Sequence, residues 1–189
     1  MRAHGRTGSS MDAKQVARAG VMVALLAVSA QVMVPIGPVP FTLQTFVLAM
    51  LVAVLDRGTA MFAVIAYILL GALGLPVFSG FMGGIGALVG PTGGFLWGFV
   101  LGTALACGVG RALSKRAGAY PRALVSAAVL LLVSYTCGTA QLMVLMSLDL
   151  LDALAIAVLP FVIPDVVKIA LGSRVGITVS RRLSRGAQR

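Results

Sequence analysis

Residues 92–113 read TGGFLWGFVLGTALACGVGRAL, and no charged side chain interrupts them before Arg111. A stretch of this length crosses about 30 Å of hydrocarbon as a helix, because each helical residue adds about 1.5 Å. Small residues recur at every fourth position, namely Gly94, Gly98, Gly102, Ala106 and Gly110. That spacing brings them to one helix face, where a neighbouring backbone can approach closely. The stretch therefore predicts a membrane-spanning helix that packs tightly against another helix.

The composition extends this interpretation to the whole chain. Of its 189 residues, 59% are hydrophobic and 11% are charged, whereas a soluble domain averages about 25% charged residues. The length allows about six spans with short connections. We therefore predict an all-α polytopic membrane protein with six transmembrane helices: a polar tail over 1–14, a six-helix domain over 15–183 and a basic tail over 184–189.

The apolar segments and the residues that interrupt them give approximate helix boundaries. The first three helices are predicted over 16–34, 41–55 and 59–73, with prolines at 35, 38 and 40 keeping the first connection out of a helix. The last two long helices are predicted over 122–146 and from Phe161 or Pro164 to 181, since proline suits the first turn of a helix. The connection before the last helix has room for a short interfacial helix.

The net charge of +10 is a topology signal, so nucleic-acid binding is excluded. Fourteen of the fifteen basic residues lie at 2–18, 57, 111–122 or 174–189, whereas the loops 35–44, 75–91 and 148–153 contain none. Both termini are therefore predicted to be cytoplasmic. Two alternatives stay open at the beginning of the chain. Val28-Ser29-Ala30 before Gln31 resembles a signal-peptidase site, and Met11 could be the true start, which leaves the origin of residues 1–10 open.

The segment 75–94 is rich in glycine, contains two prolines and carries no charge. Backbone that is not helical is tolerated at membrane depth only where protein or a water-filled cavity surrounds it. The segment is therefore a candidate wall of a binding site. The alternative is a flexible exterior loop, although such loops are usually more polar.

Lys168 is the one basic residue that topology does not explain, and Asp165 precedes it by three residues, which places both on one helix face. A charge inside a span costs about 2.5–3.5 kcal/mol, so it needs a partner or a function. The pair is either a self-neutralising ion pair or a site for a ligand with a carboxylate and N–H groups.

The sequence argues against an enzyme and against bound cofactors or metals. It contains neither a nucleotide-binding loop of the form GxxxxGK[ST] nor HExxH, and its single histidine, His4, lies in the polar tail. Cys107 and Cys137 lie in apolar segments without a metal-binding or disulfide pattern. Because no motif can use ATP, active transport would require other subunits.

Several motifs together closely resemble the BioY family, the biotin-specific substrate-binding subunits (S components) of energy-coupling factor (ECF) transporters. They are GPVPFTLQ at 37–44, GALGLPVF at 71–78, GGIG at 83–86, GPTGGFL at 90–96 and LPF at 159–161 with Asp165 and Lys168. The resemblance extends over about residues 15–182, and the order and spacing of the motifs make it more specific than any one of them.

The resemblance implies that biotin is captured near the outer face, under the loops after helices one and three. It implies a ligand site at Asp165 and Lys168, with the lysine assigned to the valerate carboxylate and the aspartate to a ureido N–H. Further candidate ligand-binding residues are Thr42, Gln44, Phe78, Gly83, Gly84, Tyr135, Thr139 and Gln141. The amide of Gln44 either bonds the ureido group or fixes the loop. Gly138-Thr139 matches the family, whereas Gln141 replaces a tryptophan, which puts an aromatic wall there in doubt.

The resemblance also implies partners: a transmembrane coupling protein (T component) and two cytoplasmic ABC-type ATPases in a prokaryotic cytoplasmic membrane. Small residues at Ala13, Ala17, Gly20 and Ala24 give a stripe on helix one that either docks this partner or packs internally. The rival functions are an S component for another vitamin, a stand-alone biotin transporter or facilitator, and, least favoured, a membrane enzyme.

Overall fold

The computed structural model describes residues 11–186, so residues 1–10 of the predicted polar tail and residues 187–189 of the predicted basic tail lie outside the described part. Within these residues the chain forms eight α-helices: α1 (Ala13–Gln31), α2 (Gln44–Val54), α3 (Arg57–Ala72), α4 (Ile85–Val89), α5 (Gly93–Ala112), α6 (Ala119–Met146), α7 (Leu150–Ala157) and α8 (Leu159–Gly186). A two-stranded antiparallel hairpin, β1 (Met33–Val34) with β2 (Phe41–Thr42), joins α1 to α2 and pairs Met33 with Thr42.

The protein is a mostly helical, multi-pass membrane protein. Three helices, α1, α5 and α6, are long and apolar enough to cross a membrane, and a fourth span is counted if α7 and α8, bent by 44° at the break between them, are taken as one. The apolar helices α2 and α3 are shorter, at 11 and 16 residues, which correspond to about 16 and 24 Å. The count of six spans and the side of each terminus stay predictions.

The structure moves several of the predicted helix boundaries. The first helix ends at Gln31 and not at residue 34, because Met33 and Val34 form β1. The second helix begins at Gln44 and not at residue 41, because Phe41 and Thr42 pair with β1. The last helix begins at Leu159, so Pro164 lies inside it and not in its first turn as predicted. Only one backbone hydrogen bond is lost to this proline, near an end where several N–H groups have no intrahelical partner in any case. The short helix predicted before it is present as α7, and its interfacial position stays a prediction.

Glycines bring two pairs of helices into close contact. A Cβ built on Gly98 of α5 would lie 2.5 Å from the Cα of Ser134 in α6, and one on Gly172 of α8 would lie 2.3 Å from the carbonyl oxygen of Phe46 in α2. Any larger side chain would push these helices apart. The predicted packing role of the small-residue stripe on residues 94–110 is thus confirmed at Gly98, where the two backbones meet.

The glycine-rich connection between α3 and α5 is largely nonhelical, as predicted, although it contains a 3₁₀ turn at Ser79–Phe81 and the unpredicted α4. Gly84 begins α4 with a φ of 87°, a conformation that favours glycine. Its N–H donates to the carbonyl oxygen of Gly71 at 2.7 Å. The segment thereby folds back onto the end of α3 and lies against the helical bundle.

Candidate functional site

A cavity of about 640 Å³, mouth included, opens where the N-terminal parts of α2, α5 and α8 face the middle of α6. Thr42, Val39 and Pro40 from the hairpin, and Phe78 and Ser79 from the glycine-rich connection, form part of its wall. Two connections between helices therefore contribute directly to the site.

Asp165 and Lys168 lie in this wall and form an ion pair, with only 4% and 8% of their surfaces exposed. Three residues of a helix separate them, so α8 brings both to the cavity. The carboxylate of Asp165 also accepts hydrogen bonds from the hydroxyl of Thr45 on α2 at 2.9 Å and that of Tyr135 on α6 at 2.7 Å. The aspartate therefore joins three helices at one point.

Lys168 connects the same point to the hairpin. Its Nζ donates to the carbonyl oxygen of Thr42 at 2.7 Å and lies 3.7 Å from the centre of the Phe41 ring. An ammonium group has three donors, and Asp165 and Thr42 take two of them. One donor of Lys168 and about one acceptor position of Asp165 are left for a ligand. The contacts of the pair therefore extend beyond the two side chains to the hairpin, α2 and α6.

The hydrogen bonds of the buried Gln44 amide favour a role in supporting the loops over a role in binding the ligand. Its Nε2 donates to the hydroxyl of Tyr67 at 2.9 Å, and its Oε1 accepts from the hydroxyl of Thr42 at 3.0 Å. The Tyr67 hydroxyl in turn donates to the carbonyl oxygen of Val77, next to Phe78. Of the two roles open to Gln44, this geometry favours fixing the hairpin and the glycine-rich connection at the edge of the cavity, although Gln44 also lines it.

Apolar and aromatic side chains form most of the remaining wall. Phe95 and Phe99 lie one turn apart on α5, Phe161 lies one turn before Asp165 on α8, and Phe78 is almost fully buried. The ring of Phe161 stacks on that of Phe41 with centroids 6.2 Å apart. Aromatic walls with a few convergent polar groups are typical of sites for small amphipathic ligands.

The structure brings together Thr42, Gln44, Phe78, Tyr135, Asp165 and Lys168 in the cavity wall. It does not bring Gly83, Gly84, Thr139 or Gln141 into that wall. The Nε2 of Gln141 donates to the carbonyl oxygens of Gly90 at 2.7 Å and Leu88 at 3.2 Å, so this amide holds the glycine-rich connection against α6. Gly83 packs so closely on the Leu75 carbonyl that a Cβ would approach it to 2.5 Å.

Sequence reasoning missed Thr45 and Phe95 as wall residues. Thr45 is 120 residues from the aspartate that it contacts, so nothing local in the sequence marks it. Phe95 and Phe99 carry a usable signal, because two aromatic residues four apart share a helix face next to the predicted site wall. The same spacing relates Phe161 to Asp165.

The small-residue stripe on α1 faces outward. Ala13, Ala17, Gly20 and Ala24 are exposed, and a Cβ built on Gly20 would meet no atom within 4 Å. The opposite face of α1 packs into the protein through Ala19, Met22 and Leu26. Among the described residues, nothing therefore uses the stripe for internal packing at Gly20.

Comparison with known proteins identifies what the chain resembles. The sequence matches the BioY family over residues 3–185. It is 37% identical over 168 residues to the biotin transporter BioY of Thermotoga maritima, covering 89% of this chain and 96% of that one. It is 41% identical over 160 residues to the probable biotin transporter BioY of Pyrococcus horikoshii, covering 85% and 92%.

A solved structure shares the fold. It is described as the S-component for biotin from an ECF-type ABC transporter, and it superposes with a TM-score of 0.82 over 91% of this chain and 95% of that one. The sequence identity to it is 22%. At this level the likeness concerns the fold.

Proposed function

This chain belongs to the BioY family, and on that premise we propose that it captures biotin as the S component of an ECF transporter. The observation that carries the proposal is the cavity with a buried Lys168–Asp165 pair, in a chain that matches its relatives over nearly their whole length. The chain is a binding subunit and not an enzyme.

The chemistry of the wall suits the parts of biotin. Lys168 is the only cation among the described residues that line the cavity, and a buried carboxylate without a partner is costly. We therefore assign the valerate carboxylate to Lys168. Asp165, with an acceptor position left, is assigned a ureido N–H, and the aromatic residues cover the apolar bicycle.

This pair of assignments makes a geometric demand. Asp165 and Lys168 are in contact, whereas the ureido group and the carboxylate lie at opposite ends of biotin. The two roles are compatible only if the lysine side chain turns away from the aspartate when the vitamin binds. Such a movement also changes the hydrogen bond between Lys168 and the hairpin carbonyl of Thr42, so binding is expected to reorganise the hairpin.

The charge distribution supports six spans with both termini in the cytoplasm of a prokaryote, because basic residues concentrate at one end of the helices. The short α2 and α3 cross with help from the adjoining hairpin and glycine-rich connection. The exposed stripe Ala13, Ala17, Gly20 and Ala24 is proposed to dock a T component, to which two ABC-type ATPases supply the energy of ATP hydrolysis.

Binding of labelled biotin to the purified chain in detergent tests the proposal. We expect one biotin per chain, displaced by unlabelled biotin and not by unrelated vitamins. Tight binding of another vitamin in its place would overturn the assignment of biotin. Uptake by vesicles with and without the T component and ATPases then separates an S component from a self-sufficient facilitator, which would transport equally well in both.

A further inference from the structure

A second cavity lies at the opposite end of the helices from the proposed biotin site. It measures about 720 Å³, mouth included, and opens between the C-terminal ends of α2 and α5 and the N-terminal ends of α3 and α6. Three arginines from three elements line it, namely Arg57, Arg111 and Arg122. Among the described residues, none of those lining this cavity is acidic.

The three guanidinium groups have no partner in the described part of the chain. The one ion pair there is Lys168–Asp165, and none of the three arginine side chains donates a hydrogen bond to another described residue. Asp56 precedes Arg57, but its carboxylate caps α3 and accepts from the backbone N–H of Thr59 at 3.1 Å and from its hydroxyl at 2.6 Å. These arginines therefore present unused donors around a common space.

The topology rule explains why arginines occur at this end, but it does not explain why three of them surround one cavity. Lys115 and Arg116, in the loop that follows α5, do not line it. The first turn of α6 lacks a side-chain cap at Gly118, so N–H groups near Arg122 add to the positive potential. The planar, forked donors of arginine match the oxygens of phosphate.

We propose that this cavity binds a phosphate group, carried by the headgroup of an anionic membrane lipid. Apolar residues complete its wall beside the arginines, among them Val52, Leu55 and Ile177. A lipid offers both an anionic headgroup and an apolar chain, whereas free phosphate would use only the arginines. Basic pockets between transmembrane helices are a known mode of headgroup recognition. The inference does not depend on what the first cavity binds.

Native mass spectrometry of the delipidated chain in a neutral detergent tests the proposal. The probes are phosphatidylglycerol, phosphatidylcholine with the same acyl chains, and sodium phosphate. We expect one phosphatidylglycerol per chain, bound at least about tenfold more tightly than phosphatidylcholine. Each of Arg57→Gln, Arg111→Gln and Arg122→Gln should weaken it about fivefold, and the triple variant about 100-fold. Arg116→Gln is the matched control and should change it less than about twofold.

Each other outcome overturns part or all of the proposal. Sodium phosphate that saturates the site while phosphatidylglycerol binds no better would identify free phosphate as the ligand and refute the lipid. If Arg116→Gln and Arg111→Gln lower the affinity for phosphatidylglycerol equally, the effect is one of diffuse charge and not of a site. If the parent chain binds neither sodium phosphate nor phosphatidylglycerol more tightly than phosphatidylcholine, the cavity is not a phosphate site. Retained biotin binding by every variant shows that the fold is intact.

Discussion

Replacing Lys168 with methionine tests the proposed site most directly, because it removes the charge and keeps most of the aliphatic stem. Methionine fills nearly the same volume beside the Phe41 ring, so the apolar packing of the side chain on that ring is largely kept. The lost interactions are the ion pair with Asp165 and the hydrogen bond to the carbonyl oxygen of Thr42. We expect Lys168→Met to fold and to lose most of its affinity for biotin.

The expected loss follows from the burial of the pair. Lys168 is 8% exposed, and no other cation lines the cavity among the described residues. Removing one partner of a buried, hydrogen-bonded charge pair costs about 2–5 kcal/mol. At about 1.4 kcal/mol for each factor of ten, the dissociation constant for biotin should rise roughly 30- to 4,000-fold.

A neutral analogue separates the carboxylate from the rest of the ligand. Biotinamide keeps the bicycle and lacks the charge, so Lys168→Met should lower the affinity for biotinamide less than about tenfold. Both ligands are measured by equilibrium binding in detergent. Lys115→Met, an exposed lysine at the other end of the helices, is the control and should bind both like the parent. If Lys168→Met weakens biotinamide as much as biotin, the lysine does not hold the carboxylate.

Three further predictions follow from single contacts. Tyr135→Phe removes a hydrogen bond to the buried carboxylate of Asp165 and should weaken biotin binding about 10- to 100-fold, whereas Tyr120→Phe should leave isotherms unchanged. Gly98→Leu forces apart α5 and α6 and should lower unfolding stability by about 1–3 kcal/mol or more, visible as a lower Tm. Gly20→Trp should abolish co-purification with the T component and preserve biotin binding; unchanged assembly would remove the stripe from the docking surface.

The sequence predicts helices well where an apolar segment is long enough to span a membrane, as in α5 and α6. It predicts helix boundaries less well next to prolines and short connections. The hairpin between α1 and α2 was missed because two-residue strands beside prolines have no periodic signal. The start of α8 was placed too late because proline usually marks the first turn, whereas Pro164 is tolerated in the second. Both errors lie next to the site, where connections and helix ends form the wall.

Within the site, residues that share a helix face could be predicted, and contacts between distant segments could not. Asp165 and Lys168 stand out because charge is rare in a span, and their i, i+3 spacing predicts the observed pairing. Gln141 became a candidate through the family resemblance, yet its amide donates to carbonyl oxygens of the glycine-rich connection. A polar side chain at membrane depth needs a partner, but the sequence does not say whether that partner is a ligand or the backbone.

The two cavities lie at opposite ends of the helices and differ in the charged residues that line them. The first joins α8 to α2 and α6 through Asp165 and to the hairpin through Lys168, so a ligand that competes for both charges acts on all four elements. The second is lined by three arginines, Arg57, Arg111 and Arg122, that form no ion pair within the described part of the chain. Because α2 and α6 residues line both cavities, we expect a lipid in the basic cavity to stabilise the same helices on which the vitamin site is built. Biotin affinity measured in detergent and in an anionic bilayer should therefore differ for the parent and agree for the triple arginine variant.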